Sequence, residues 1–399
     1  MKCAIVNIGR IVSGDLAAPI VEADCIVTSD GRIEHVGPAD PALVEAADVV
    51  IDAAGVTAMP GLIDSHVHIT FGDYTPRQKV VGYLESYLHG GTTTAITASE
   101  VHVPGRPKDP AGVKALALAA RACFEDYRPG GMRVHAGSII LEPGLTEDDL
   151  REVREAGLWL AKAGFGRFAT PYDYAPLMSA ARALGMVTTM HTGGSSIPGS
   201  SGIWAEHVLR SNPTVSFHVN GGPTAMPDEG FARLVEEGPE IALQLCTAGN
   251  LRTALLTARL LAEAGALERL LIATDTPTGS GIMPLGIFYT ITHLASLGGM
   301  APEVAIAAAT GNNARVYGLD TGILAAGRAA DIVLIDACDG GSTDDALAGI
   351  RNGDVPAVAA VISDGVPRFV GRSRNTPAAT RSVRVQRSRL VQDFSGAAH

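Results

Sequence analysis

Two histidines one residue apart, in a strongly apolar segment, are the first residues in this chain to suggest chemistry. His66 and His68 lie within PGLIDSHVHITFGDY, residues 60–74, and Asp64 precedes them at the same spacing. In an extended strand alternate side chains project from one face, so all three should point the same way. They are either a packed, hydrogen-bonded pair or two adjacent ligands of one metal ion, and this segment alone leaves both readings open.

Four more side chains suited to metal binding or acid–base chemistry lie late in other apolar, strand-like runs. They are Lys162, His191, His218 and Asp275, and glycine- or proline-rich sequence follows them. A lone histidine on an apolar strand is usually a hydrogen-bonded core residue, but several at matching depths are hard to explain by packing. Buried imidazoles and carboxylates without partners are costly, and a divalent cation removes that cost by accepting their lone pairs. The pattern therefore predicts a metal site.

These side chains can meet only if the strands that carry them end at the same place. Residues 57–319 alternate strand-like runs with helical patterns such as TEDDLREVREAG. The strand-like runs are LIDSHVHI, TTTAITAS, RVHAGSII, LWLAKAG, MVTTMHT, TVSFHVN, IALQLCT and LLIATDT. This alternation predicts a closed (β/α)8 TIM barrel, with its chemistry at the carboxyl ends of parallel strands. An open doubly wound sheet is the alternative, but no glycine-rich dinucleotide loop follows an early strand.

The two ends of the chain have a different pattern, with short alternating runs separated by turns. Asp30-Gly31 is a hairpin signal near the start, and ADIVLID and VAAVISDGVPRFV repeat the pattern near the end. We therefore predict an α/β protein of two parts. Residues 1–56 and 320–399 form a composite small β-sandwich domain built from both chain ends, and residues 57–319 form the barrel.

Composition narrows the class of protein. The 399-residue chain is 46% apolar and 18% charged, which is typical of a well-packed globular protein. Its net charge of −11 argues against nucleic acid or an anionic membrane as the main partner, and no apolar run is long enough to span a bilayer. The five cysteines are scattered and the N-terminus lacks a signal-peptide pattern, so we expect a reduced, cytoplasmic setting.

Several of these segments resemble the amidohydrolase superfamily of metal-dependent hydrolases. PGLIDSHVH resembles its strand-one signature, and GILAAGRAADIVLID resembles the segment where its barrel returns to the small β domain. Further stretches resemble the enamidase subgroup, which hydrolyses 6-oxo-1,4,5,6-tetrahydronicotinate. They are GDYTPRQK, PGRPKD, MHTGGSSIPGSS, HVNGGPTA, MPLGI and SRNTP.

The resemblance implies a two-metal site, with zinc, iron or manganese as the divalent ions. His66, His68 and Asp275 would hold the first ion, and His191 and His218 the second. Two such ions need an anionic bridge between them. The subgroup has glutamate at the bridging position, whereas strand four here reads LWLAKAGFG and offers Lys162.

An ammonium group has no lone pair, so Lys162 can serve as a bridge only after its amine has reacted with carbon dioxide to give a carbamate. Carboxylated Lys162 is therefore the main hypothesis, as in many members of the superfamily. Two alternatives stay open: Lys162 points into solvent beside a single metal ion, or Glu142, after strand three, supplies the bridge.

The chemistry implied by the resemblance is hydrolytic opening of a cyclic amide. Hydroxide generated from water on the metal attacks the carbonyl, and Asp275 carries a proton to the departing nitrogen as general base and then acid. The alternatives are a different lactam, imide or N-acyl amino acid, an aminohydrolase reaction, or a scaffold without metal. His191 is followed by TGGSSIPG, which lacks the acidic residue that deaminases of the superfamily place there.

Substrate selection should depend on loops at the same end of the barrel. The small-molecule substrate implied by the resemblance bears a carboxylate, for which arginine is the natural bidentate partner. The candidate substrate-binding residues are Tyr74, Arg77, Arg106, Thr192 and Asn220. A surface salt bridge or a loop anchor is at least as strong an alternative for either arginine, and Tyr74, Thr192 and Asn220 could instead orient the imidazoles. The resemblance also suggests a homotetramer.

Overall fold

The computed structural model describes residues 1–69, 83–100, 105–195, 200–221, 225–277 and 281–390. The first strands are β1 Lys2–Val6, β2 Arg10–Val12, β3 Ile20–Val21, β4 Cys25–Ser29, β5 Arg32–Gly37, β6 Val49–Asp52 and β7 Thr57–Pro60. The middle strands are β8 Leu62–Val67, β9 Thr92–Thr97, β10 Arg133–His135, β11 Ser138–Ile140, β12 Leu160–Ala163, β13 Val187–His191, β14 Val215–Phe217, β15 Ala242–Cys246 and β16 Leu270–Ala273. The last strands are β17 Ile332–Asp336, β18 Ala357–Ser363, β19 Val366–Val370 and β20 Arg384–Ser388.

The middle strands form a closed parallel barrel. Pairing runs in sequence order from β8 to β10 and from β11 to β16. The third strand is split, since β10 pairs with β9 and β11 pairs with β12, and Gly137 between them has a φ of +98°. The ring closes between its first and last strands, where the amide of Asp275 donates to the His66 carbonyl at 3.0 Å and the amide of His68 donates to the Thr276 carbonyl at 2.9 Å. The predicted (β/α)8 barrel is confirmed.

The helices of the described residues are α1 Pro41–Ala46, α2 Tyr83–His89, α3 Pro110–Phe124, α4 Glu147–Glu155, α5 Ala175–Ala183, α6 Ala205–Ser211, α7 Asp228–Glu237, α8 Leu251–Glu263, α9 Gly286–Ser296, α10 Pro302–Ala309, α11 Gly311–Tyr317 and α12 Ala346–Asn352. Ten of these helices, α2 to α11, follow barrel strands, whereas α1 and α12 lie between strands of the small domain. Local sequence sets where several of them start: Thr146 and Asp149 form a capping box at α4, and Asn250 caps α8. No helix in the described part of the chain is both long enough and apolar enough to cross a membrane.

Both chain ends build the small domain, which is a sandwich of two sheets. One sheet has the order β20-β6-β1-β4-β5 and the other β19-β18-β17-β7-β2-β3. Apolar side chains of both sheets share one core, with Ile5 and Ile51 from the first sheet and Ile332 and Ile362 from the second. Because β7 pairs with β17, residues 57–60 belong to the second sheet. The predicted domain boundary between residues 56 and 57 stays a prediction.

The small domain packs directly on the barrel. The hydroxyl of Ser363, at the end of β18, donates to the Gly131 carbonyl just before β10 at 2.6 Å. The ring of Phe369 on β19 stacks on that of His89 at the end of α2, with centroids 4.2 Å apart. These contacts fix the start of strand three and the helix after strand one, so the small domain supports the scaffold of the barrel.

Candidate metal centre

Five of the six predicted ligands meet at the carboxyl ends of the barrel strands. His66 lies on β8 and His68 directly after it, His191 ends β13, His218 follows β14, and Asp275 follows β16. The four histidines are between 1% and 5% exposed, and the Asp275 side chain is 16% exposed. The His66 ring centroid lies 5.3 Å from those of His68 and His218, and the His191 and His218 centroids are 4.6 Å apart. The sequence-predicted residues therefore form one contiguous cluster.

One end of the cluster contains a compact group of three possible ligand atoms. Asp275 Oδ1 lies 3.1 Å from His66 Nε2 and 3.2 Å from His68 Nε2, and a set of ligand atoms from these three residues lies within 4.8 Å of one another. Two imidazole nitrogens and a carboxylate oxygen suit zinc and similar first-row ions. This donor set fits a divalent cation.

Gln244 on β15 determines which nitrogen of His66 faces the carboxylate. His66 Nδ1 lies 2.7 Å from Gln244 Oε1, and the amide nitrogen of Gln244 donates to Ser65 Oγ at 2.8 Å. An amide oxygen only accepts, so Nδ1 of His66 carries a proton and, in the neutral ring, Nε2 keeps its lone pair. That lone pair then faces a carboxylate oxygen, and these two acceptors need a proton or a cation between them.

At the other end of the cluster, His191 and His218 also have lone pairs that face each other. His191 Nε2 donates to the Gly194 carbonyl at 2.7 Å, and His218 Nδ1 donates to the Thr192 carbonyl at 3.0 Å. Because carbonyl oxygens only accept, the lone pairs that remain are on His191 Nδ1 and His218 Nε2, which lie 3.1 Å apart. Two facing lone pairs repel each other unless they share a positive charge.

Burial makes a proton an unfavourable solution at this place. Burial is the main cause that lowers the pKa of His191 to about 4, with the positive charge of Lys162 contributing. The pKa of His218 is lowered well below its usual value, first by burial and then by His191. Both rings are therefore neutral at pH 7, which is the form that binds metal. A metal ion shared by the two nitrogens fits this pair.

His68 and Asp275 also favour the protonation states that bind metal, which are the neutral imidazole and the ionised carboxylate. Burial lowers the pKa of His68 to about 4, although the hydrogen bond to Asp275 acts in the opposite direction. Burial would raise the pKa of Asp275, but a positive charge on the adjacent His66 ring, with hydrogen bonds from His66 and His68, outweighs it and holds that pKa well below the usual value; a cation between these groups would act in the same direction. Asp275 is therefore an ionised carboxylate at neutral pH.

Lys162 on β12 is fully buried, in contrast to the alternative in which it faces solvent. Its exposure is 0%, and its Nζ lies 4.1 Å from the ring centroid of Phe217 and 5.0 Å from that of Phe165. Within the described residues, Nζ has no hydrogen-bond partner. Burial lowers the pKa of Lys162 to about 7, with the charge of Asp275 acting against that shift. A buried amine without a partner is costly, so this nitrogen requires a chemical explanation.

Glu142 and Arg106 are partners of each other. Arg106 forms a buried ion pair with Glu142 and donates to the Phe165 carbonyl at 2.9 Å. The second carboxylate oxygen of Glu142 accepts from the amide of Arg167 at 2.8 Å. Both oxygens of Glu142 are thus engaged away from a bridging role, and Arg106 is only 6% exposed. The substrate-binding role of Arg106 stays a prediction, and the structure gives its guanidinium a different partner.

The other predicted substrate residues have mixed positions. Thr192 orients His218 through its carbonyl, and its hydroxyl lies 2.6 Å from Ser216 Oγ. The amide of Asn220 exchanges two 3.0 Å hydrogen bonds with the backbone of Cys246, so it joins the ends of β14 and β15. Tyr74 and Arg77 lie outside the described residues.

Two residues at the site were not predicted. Gln244 sits in the apolar run IALQLCT, and a single polar side chain in such a strand was an available signal. Phe217 packs on His66 with centroids 4.0 Å apart and also faces Lys162, but an aromatic residue in a strand carries no such signal.

Comparison with known proteins identifies the family. A model described as the amidohydrolase family matches residues 57–368. The chain is 44% identical over 386 residues to an enamidase from Eubacterium barkeri, which covers 96% of this chain and 99% of that protein. This chain belongs to the amidohydrolase family.

Structural comparison gives the same result for this amidohydrolase. A crystal structure of enamidase, described as a new member of the amidohydrolase superfamily, matches with a TM-score of 0.91 and 44% identity, over 96% of this chain and all of that one. The imidazolonepropionase of Geobacillus kaustophilus is 28% identical over 79% of this chain and 84% of its own. The resemblance and the fold predicted from the sequence are confirmed, and the roles of individual residues stay predictions.

Proposed function

We propose that this amidohydrolase opens a cyclic amide that bears a carboxylate, with 6-oxo-1,4,5,6-tetrahydronicotinate as the first candidate substrate. The observation that carries this proposal is that lone pairs face each other at two neighbouring places, between His66 and Asp275 and between His191 and His218. Its support is the 44% identity to an enamidase along almost the whole length of both chains. The alternative of a scaffold without metal leaves these facing lone pairs unexplained.

Two groups of side chains would hold two divalent ions. His66, His68 and Asp275 form the first group, and His191 with His218 forms the second. A divalent cation there supplies Lewis acidity, which lowers the pKa of water from about 16 towards 7 and polarises a carbonyl oxygen. Zinc is the first expectation, with iron or manganese as alternatives, and metal analysis of the purified protein distinguishes them.

Lys162 would bridge the two groups as a carbamate. The neutral amine attacks carbon dioxide, an N–C bond forms and one proton leaves, so that the product is an anion with two oxygens. A pKa of about 7 provides neutral amine at physiological pH, and the absence of any hydrogen-bond partner among the described residues leaves Nζ available. A carbamate would also give this buried position an anionic ligand in place of an unpartnered amine.

Asp275 would move the proton. Its carboxylate is ionised, and its side chain is more exposed than those of His66 and His68, so it is the group within reach of the barrel mouth. It accepts a proton from the attacking water and returns it to the ring nitrogen as the carbon–nitrogen bond breaks. Ring opening gives a single product that carries both the new carboxylate and the freed nitrogen. If that nitrogen is an enamine, further hydrolysis gives an aldehyde and ammonia.

A substrate screen tests this function. The metal-loaded protein is assayed with 6-oxo-1,4,5,6-tetrahydronicotinate, dihydroorotate, hydantoins, simple lactams and N-acyl amino acids. Ring opening of the first compound is expected, and activity confined to another class would replace the proposal. Asp275→Asn should still bind metal when the metal is saturating but should lose turnover by several orders of magnitude. Near-normal turnover in that variant would show that another group moves the proton.

A homotetramer and a cytoplasmic location are the remaining expectations. Both derive from the sequence and the resemblance. Light scattering of the purified protein measures the assembly, and cell fractionation with an antibody to the chain locates it.

A further inference from the structure

A chain of buried hydroxyl groups runs past Asp275 from the loop after β16 to Asp64 on β8. Tyr87 Oη lies 2.5 Å from Thr276 Oγ1, which lies 2.7 Å from Thr274 Oγ1. Thr274 Oγ1 donates to Asp64 Oδ2 at 2.5 Å, and at the other end the amide of Met283 donates to Tyr87 Oη at 3.1 Å. We infer that this chain positions Asp275 for proton transfer, an inference that rests on the proposed function.

The two ends of the chain fix the direction of every hydrogen bond in it. A backbone amide only donates, and the Asp64 oxygens accept from the amides of His66 and Thr274 as well as from the Thr274 hydroxyl. Each hydroxyl between those ends therefore accepts one hydrogen bond and donates one. A network with one consistent direction has one arrangement, so its members are held rigidly.

The three hydroxyl-bearing side chains and the carboxylate of the chain are buried. Asp64 and Thr276 are 0% exposed, Thr274 is 1% exposed and Tyr87 is 3% exposed. Loss of one hydroxyl would take a hydrogen-bond partner from each of its two neighbours in a place where water has no access to replace it. We therefore expect a substitution that removes a hydroxyl to disturb the chain. A substitution that changes the shape of the side chain but retains the hydroxyl should not.

Asp275 needs such support because of its backbone. It has a φ of +58°, in the left-handed region that residues other than glycine seldom adopt. Thr274 and Thr276 flank it on either side, and both of their hydroxyls belong to the chain. The chain thus holds both neighbours of Asp275 and keeps its carboxylate beside His66 and His68.

The chain also joins Asp275 to the mouth of the barrel. Met283 lies in the segment that leads to α9, and Tyr87 lies on α2, the helix after the first barrel strand. The two segments are in close contact, because a Cβ atom on Gly90 would lie 2.0 Å from the Pro284 carbonyl oxygen. Tyr87 is therefore a positioning residue that connects the loop after the last strand to the proton-transferring carboxylate.

Three substitutions test the inference. Thr274→Val keeps the shape but removes the hydroxyl, Thr274→Ser keeps the hydroxyl, and Tyr87→Phe removes the first hydroxyl of the chain. Tyr174→Phe is the matched control, because Tyr174 is also 3% exposed and its hydroxyl donates to the Gly166 carbonyl at 3.1 Å. Each variant is loaded with cobalt(II), and its affinity, its visible spectrum, kcat and KM are measured.

The expected pattern separates positioning from general stability. Thr274→Val and Tyr87→Phe should lower kcat with little change in KM, weaken cobalt binding by about 10- to 100-fold and alter the cobalt spectrum. Thr274→Ser and Tyr174→Phe should resemble the wild type in all four measured quantities. If Thr274→Val does not fold, Tyr87→Phe decides alone.

The inference is overturned if Tyr87→Phe and Thr274→Val keep the wild-type cobalt spectrum and affinity. This result is independent of the substrate, since the spectrum is recorded without one. A wild type that opens no cyclic amide would refute the proposed function, whereas the cobalt measurements would still decide the positioning role.

Discussion

Replacing Lys162 by methionine distinguishes a carbamate ligand from an amine that is merely packed. Methionine has a similar length and no charge, and the site has 0% exposure and two aromatic neighbours, Phe165 and Phe217, so the side chain should fit. The two roles predict opposite effects of this change. A packed amine is only a burden on stability, whereas a carbamate is required for metal binding and turnover.

The size of the burden follows from the pKa of Lys162. That pKa falls from 10.5 in the unfolded chain to about 7 in the folded protein without metal, so the unfolded chain binds more protons between these values. The free energy of unfolding therefore rises with pH through this window, and the penalty is fully present below pH 7. It amounts to about 4 kcal/mol at pH 7 and about 1 kcal/mol at pH 9.5.

Urea unfolding of metal-free protein, freed of carbon dioxide, measures this penalty. Lys162→Met should be more stable than wild type by up to about 4 kcal/mol at pH 7, and the difference should shrink at pH 9.5. Lys114→Met is the control, because Lys114 lies on the surface in ion pairs with Asp149 and Glu152. Its effect should stay within about 1 kcal/mol and should not depend on pH in this way.

The metal-loaded proteins should rank in the opposite order. With bicarbonate and zinc present, wild type should bind two metal equivalents and show a carbamate signal from labelled bicarbonate in the carbon NMR spectrum. Lys162→Met should bind fewer equivalents and lose turnover by at least about 1000-fold, since the bridge is gone. Equal metal content and turnover in wild type and Lys162→Met would refute the carbamate and leave Lys162 as a packed amine.

Three further changes test neighbouring contacts. Gln244→Leu removes the acceptor for His66 Nδ1, so competition with a chelator should show metal affinity about 10- to 100-fold lower, whereas an unchanged affinity would mean that the tautomer is set elsewhere. Glu142→Gln leaves the buried Arg106 charge without its partner and should lower the free energy of unfolding by about 3–5 kcal/mol; a smaller loss in a double variant with both charges removed would support this cause. Without metal, the unfolding free energy should fall by up to about 3 kcal/mol between pH 6.5 and 4 because of His191, since the unfolded chain takes up a proton that the folded ring resists; His191→Gln should lessen that fall in urea titrations at both pH values.

The barrel could be predicted from the sequence because each strand and helix has a recognisable hydrophobic pattern within its own segment. The run LIDSHVHI is apolar, alternates at the period of a strand and becomes β8, and the same holds for the runs that become β13 and β16. Parallel strands in a closed ring end at one mouth, so the position of His191 late in its run was enough to place it beside the other histidines. The division of strand three was not predicted, although Gly137 inside the run RVHAGSII was an available signal, since an isolated glycine in a strand pattern suggests a bulge or a bend.

The contacts that give the site its chemistry could not be predicted, because they join distant residues. Gln244 lies 178 positions from His66 and reaches it only because the barrel closes. Arg106 and Glu142 were separately plausible as substrate ligand and metal bridge, and only the fold shows that they are paired with each other. Their pairing depends on how the loops after strands two and three fold, and a loop lacks the periodicity that marks a strand or a helix.

The hydrogen-bond acceptors around the histidines determine the preference for a metal ion as much as the histidines themselves do. His191 and His218 would be an ordinary hydrogen-bonded pair if one ring donated to the other. The carbonyls of Gly194 and Thr192 take the available proton of each ring, and this leaves two lone pairs opposed at 3.1 Å. Gly193, with a φ of +109°, allows the backbone after β13 to turn so that the Gly194 carbonyl reaches the His191 ring. The preference for a cation is therefore set by the backbone next to each ligand, and a chain with the same histidines but a different loop after β13 would hold a proton there instead.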